Sequence, residues 1–226
     1  MKKGYLASTA FLLCLLCTGC GNPAEIPSGT EVLQITAVKE TAVPAAVINP
    51  LPDTTMMDLE DAILAVSLEE GDAYVDDIGI MQMDVKIYSY DKYDMVDIAN
   101  LKVGDILATH AGSVEVNALE HTDFGTVRIN GGLEANGLEL DTGDQGVYYE
   151  CGFNDAKNWY MVGEATIRVS ADFVGYDTSD LDMGEVVFYP GSFLVGEVTN
   201  YNFTPHNTTI RIAQGQIVEL QRRYTP

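Results

Sequence analysis

Apolar and polar side chains alternate in short runs along most of the chain. In QMDVKIYSY the residues Met83, Val85 and Ile87 alternate with Asp84, Lys86 and Tyr88, and in SVEVNALE Val114, Val116 and Ala118 alternate with Glu115 and Asn117. Val127 with Ile129, Ile167 with Val169, Ile210 with Ile212 and Val218 with Leu220 keep the same spacing. A period of two is that of a strand with one buried face, because successive side chains leave the pleated backbone on opposite sides. The stretch DLEDAILAVSLEE, residues 58 to 70, fits two patterns. Leu59, Ile63 and Val66 suit a helix, whereas Ile63, Ala65 and Ser67 suit a strand, and a strand is the reading adopted.

Turn residues punctuate these runs: VGD at 103 to 105, HAGS at 110 to 113, NGG at 130 to 132, DTGDQG at 141 to 146, YPGS at 189 to 192 and AQGQ at 213 to 216. Short strands with glycine-bearing turns at close intervals predict an all-β domain, an antiparallel β-sandwich or a barrel. Its last element is a hairpin across Gln214 and Gly215.

The first 56 residues lack this alternation. Lys2 and Lys3 precede an apolar run that includes Phe11 to Cys17, followed by Thr18, Gly19 and Cys20. A charged start, a short apolar middle and small residues at the cut make a secretory signal, and the run falls below the ~20 residues of a spanning helix. Cys14, Cys17 and Cys20 have a spacing that suits an iron–sulfur cluster, but two of them lie inside the expected leader. Thr18, Gly19 and Cys20 resemble the bacterial lipoprotein lipobox, with a departure at Cys17, where leucine is usual. The resemblance implies that residues 1–19 are removed, that Cys20 is lipidated (palmitate-type acylation), and that the protein is anchored to the extracytoplasmic face of the cell membrane. Residues 20–56 hold five of the eight prolines and no sustained period, and are read as a flexible tether. Residues 57–226 then form a single domain. The layout also resembles that of the uncharacterised lipoproteins common in gut Firmicutes, a likeness that implies no activity.

Charge narrows the partners. The chain has 12 Lys+Arg against 34 Asp+Glu, a net charge of −22 that becomes more negative when Lys2 and Lys3 leave with the signal. Such a surface repels nucleic acid. At 46% hydrophobic residues the chain still has the apolar surface for a packed core. Cys151, in VYYECG, is the one cysteine left inside the domain and reads as a small buried hydrophobe rather than a nucleophile.

Three acidic clusters bear on metal binding: Asp91, Asp94 and Asp97; Asp141 and Asp144; and Asp177, Asp180, Asp182 and Glu185. Calcium needs six to eight oxygens, and none of these matches the EF-hand loop. Solvated surface charge is the simpler reading, and Asp177, Asp180, Asp182 and Glu185 are the candidate calcium ligands. His110, His121 and His206 read as turn or rim residues, since neither a nucleophile elbow nor a zinc-protease helix motif is present. Tyr88 and Tyr90 share one face of a strand, opposite Val85 and Ile87, and with Trp159 are candidates for a ligand-stacking platform; ordinary cross-strand packing competes with that reading.

No catalytic residues are assigned. The function expected is a membrane-anchored, non-enzymatic β domain that binds an envelope protein or an extracellular glycan. Two alternatives are a carboxylate-based glycan hydrolase, which requires two buried acids facing each other in a cleft, and a calcium-stabilised interaction module.

Overall fold

In the computed structural model the chain is described over residues 45–143, 146–153, 157–198 and 200–225. The signal, Cys20 and Asp144 lie outside these residues. The described chain is all-β, with two helices of five residues each. Its first lobe is a closed barrel of five strands: Ala62–Ser67 (β2), Met81–Ser89 (β4), Tyr160–Thr178 (β12), Gln216–Arg223 (β15) and Thr208–Ala213 (β14). The pairs run β2–β4, β4–β12, β12–β15, β15–β14 and β14–β2, which returns to the start.

The expected sandwich or barrel is a barrel, but it is not antiparallel throughout. A closed ring with an odd number of strands cannot alternate direction at every step, so at least one neighbouring pair must be parallel. Here it is β12 with β15. Closure leaves no free edge along the ring. Ala73–Val75 (β3) continues the edge of β4, and Val186–Phe188 (β13) continues that of β12.

Alternating positions fill the barrel. Leu64 and Val66 from β2, Met83, Val85 and Ile87 from β4, Ile167, Val169 and Phe173 from β12, Ile210 and Ile212 from β14, and Ile217 and Leu220 from β15 form one buried cluster. Each fully buried side chain of this size contributes roughly 1.5–3 kcal/mol. The segment at 62–67 is a strand, as expected, but in the opposite phase to the Ile63/Ala65/Ser67 spacing: Leu64 and Val66 face the core and Ile63 is exposed. Two further inward assignments need correction: Ala118 is exposed and outside any strand, and Ile217, not Val218, faces the core. The pairing passes from Arg211–Glu219 to Ile212–Ile217, so Val218 is the extra residue of a β-bulge, and the inward phase shifts across it. YPGS at 189–192, expected as a turn, instead opens the helix Pro190–Leu194 (α2), with proline in its first turn and the Ser192 hydroxyl accepting from the Tyr189 N–H.

Most of the second lobe is inserted between β4 and β12. Lys92–Asp94 (β5), Val147–Glu150 (β11), Leu138–Thr142 (β10), Val127–Ile129 (β9) and Leu119–His121 (β8) form a sheet in that order. The helix Met95–Ala99 (α1) follows β5, with the Asp94 carboxylate accepting from the Val96 N–H. A three-stranded sheet joins Val47–Ile48 (β1), Ile106–Thr109 (β6) and Gly112–Glu115 (β7). Tyr93, Ile98, Leu101, Leu107, Val116, Val127, Ile129 and Leu140 make a second buried cluster. Part of the stretch expected as a tether, residues 20–56, is built into this lobe: Val47 and Ile48 pair in parallel with Ile106 and Leu107, and the Leu51 N–H donates to the Lys92 carbonyl.

Candidate functional site

The junction between the lobes carries a grouping of polar and aromatic side chains. Met83, Val85 and Ile87 set an inward phase that continues past the end of β4 through Ser89, Asp91 and Tyr93, all buried. Tyr88, Tyr90 and Lys92 take the opposite phase and are half-buried. The neighbouring strands repeat the alternation. Tyr149 pairs with Lys92, and Tyr148 with Tyr93. Glu150 then comes beside Asp91, its N–H donating to the Asp91 carbonyl at 3.2 Å. Trp159 joins the outer group, and Asn158 and Tyr160 the inner one.

On the outer side, Tyr90 is the hub. Its ring meets Trp159 edge-on at 4.9 Å between centroids and Tyr149 at 6.1 Å. The Lys157 ammonium lies 4.3 Å from the Tyr90 centroid and the Lys92 ammonium 4.9 Å from it, within cation–π range. Lys157 is also 5.6 Å from the Trp159 ring. Neither lysine forms an ion pair among the described residues, whereas Lys86, Arg128, Arg211 and Arg222 all do. A cleft of about 340 Å³ opens here, and its lining includes Tyr88, Tyr90, Lys92, Lys157 and Trp159 together with Thr54, Thr55, Asp58 and Ile63. The expected platform residues Tyr88, Tyr90 and Trp159 are thus brought into one cleft. Lys92 also influences Asp53: burial raises that carboxyl, but hydrogen bonds from Thr55 and Ser89 and the lysine charge hold it below its ordinary value.

On the inner side, Asp91, His110 and Glu150 each offer a ligand atom within 4.8 Å of the other two. Asp91 Oδ2 accepts from the His110 backbone N–H at 2.7 Å and lies 3.1 Å from His110 Nδ1. The His110 ring stacks on Tyr160, with 4.0 Å between centroids and 21° between planes. Asn158 Nδ2 donates to Glu150 Oε1 at 2.6 Å. Glu150 Oε2 is buried and, among the described residues, has no hydrogen-bond partner. Burial raises the Glu150 carboxyl above its ordinary value, the Asp91 charge adds to the effect, and Asn158 and His110 act against it. Burial and the Asp91 charge also push the Tyr160 hydroxyl up to about 12.

Two of the acids chosen from sequence for calcium, Asp177 and Asp180, have partners within the chain. Asp177 forms an ion pair with Arg222 and accepts from the Ser179 hydroxyl at 2.6 Å and its N–H at 2.9 Å. Asp180 Oδ1 accepts from the Asp182 N–H at 2.9 Å, closing a local turn. Among the described residues the convergent trio is Asp91, His110 and Glu150, not Asp177, Asp180, Asp182 and Glu185. His110 sits in the turn between β6 and β7, as expected from HAGS, and Cys151 is buried. Sequence reasoning does not single out Glu150 or the two lysines. A signal for the inner group is nonetheless present: Asp91 occupies the apolar phase of its own strand pattern.

Comparison with known proteins adds no relative: no family model, curated protein or solved structure matches this chain.

Proposed function

We propose that this protein is a lipid-anchored, extracytoplasmic binding module, without enzymatic activity, that captures acidic glycans in the cleft of Tyr88, Tyr90 and Trp159. The observation that carries this reading is the convergence of Lys92 and Lys157 on the Tyr90 ring at the cleft, neither of them in an ion pair among the described residues. In a chain of net charge −22, a site for an anion has to be local. Aromatic faces stack on sugar rings, and ammonium groups receive carboxylates. The anchor rests on the lipobox resemblance at Thr18, Gly19 and Cys20. Among the described residues no helix is long and apolar enough to cross a membrane.

The alternative of a carboxylate hydrolase finds its two buried acids in Asp91 and Glu150, but the lining of the 340 Å³ cleft includes neither. A calcium-stabilised module has less support, because Asp177 is already committed to Arg222. Calorimetric titration with uronate oligosaccharides and with neutral oligosaccharides of equal length tests the proposal. The acidic series should bind, and the Lys92→Ala/Lys157→Ala double variant should bind at least tenfold more weakly; equal affinity for both series would reject it.

A further inference from the structure

Two carboxylates and one imidazole converge at the inner side of the lobe junction, a group that the glycan reading leaves without a role. Asp91 is 3% exposed and Glu150 4%, so both acids are withdrawn from water. An isolated buried carboxylate is strongly disfavoured, and two of them within 4.8 Å of each other need either a shared proton or a positive charge between them. His110 can supply one charge at most. Lys92, next in sequence to Asp91, leaves on the opposite face and lies over Tyr90.

The polar atoms have the disposition of a ligand set. His110 Nδ1 and Asp91 Oδ2 are 3.1 Å apart, which suits two donors on one ion at bond lengths of about 2.0–2.2 Å. Asn158 holds Glu150 Oε1, the kind of outer hydrogen bond that orients a ligating carboxylate. The remaining oxygen, Oε2, is buried with no hydrogen-bond partner among the described residues. A buried acceptor with nothing to accept from is rare, and it is an independent sign that something else completes the site.

We infer that Asp91, His110 and Glu150 bind one divalent transition-metal ion, zinc by preference. An imidazole nitrogen with two carboxylate oxygens suits such a metal, whereas calcium takes six to eight oxygens and no nitrogen. Two carboxylates neutralise the dication. Three protein ligands leave one position of a tetrahedral ion for water or another donor. The ion ties together the start of β5, the β6–β7 turn and the end of β11, segments distant in sequence.

The test is competition between the purified metal-free protein and a chromophoric chelator for Zn²⁺, Mn²⁺ and Ca²⁺, with Co²⁺ as a spectroscopic substitute. One Zn²⁺ per chain is expected, held at least a hundredfold more tightly than Ca²⁺, and Co²⁺ should show the strong visible absorption of a four- or five-coordinate ion. Glu150→Gln and Asp91→Asn should each weaken binding at least tenfold. His110→Ala, in an exposed turn, should do so with an unchanged circular dichroism spectrum, so that lost binding is separable from lost fold. Lys92→Ala/Lys157→Ala should keep full zinc affinity, which separates this site from the glycan cleft. Sub-stoichiometric zinc, or affinity unchanged by His110→Ala and Glu150→Gln, would overturn the assignment and leave a carboxylate pair sharing a proton.

Discussion

Arg222 is 6% exposed, its guanidinium joined to Asp177 and to the Asn200 carbonyl and placed 4.4 Å from the Phe203 ring centroid. Burial of the Asp177 carboxyl works against ionisation, but Arg222 and the Ser179 hydrogen bonds outweigh it and hold the group below its ordinary 3.8. A depressed folded-state value means that the unfolded chain binds the proton more readily. The resulting stabilisation is complete above about pH 5 and is lost as pH falls through the folded value. Asp177→Asn leaves a buried cation without its counter-charge, which should cost roughly 3 kcal/mol at pH 7. Urea midpoints between pH 7 and pH 2.5 check both points: the variant should start lower and lose less than the wild type below pH 4. Parallel pH profiles would mean that this pair does not shape the acid response.

At the scale of the element, phase is the informative variable. The run Met83, Val85, Ile87 is readable because one face of a strand is uniformly apolar, and the same alternation puts Tyr88 and Tyr90 together on the other face. Carried two steps further, it places Asp91 among core positions, an anomaly in the alternation itself that marks the inner cluster. The partners of Asp91 are not legible in the same way. His110 and Glu150 arrive from the β6–β7 turn and the end of β11, and pairing between distant strands is not written in local spacing. The phase of β15 escapes the pattern for a different reason, since a bulge inserts one residue and period-two counting has no means of registering it. The corrected phase makes a prediction. Ile217→Ala should destabilise by about 2–4 kcal/mol, as expected for a buried isoleucine, and Val218→Ala by under about 1 kcal/mol. Chemical denaturation of the two variants checks the order, and a larger effect at Val218 would place the bulge elsewhere.

For the molecule as a whole, topology explains where the clefts and clusters lie. The barrel closes with β12 against β4 at one end of that long strand and against β15 at the other. The second lobe leaves the barrel after Ser89 and returns at Tyr160, a pair facing each other in the β4–β12 ladder. Chain exit and re-entry are therefore adjacent, and the side chains just beyond that pair, Tyr90, Lys92, Lys157 and Trp159 on one face and Asp91 and Asn158 on the other, meet there of necessity. The chain has one tryptophan, so its emission reports on this cleft alone. The most direct measurement is the fluorescence of Trp159 during titration with a uronate oligosaccharide, in the wild type and in Lys157→Ala. Saturable change in emission, weakened at least tenfold in the variant and absent with a neutral oligosaccharide, is the predicted result; emission indifferent to the acidic ligand, or a response independent of Lys157, would contradict the account.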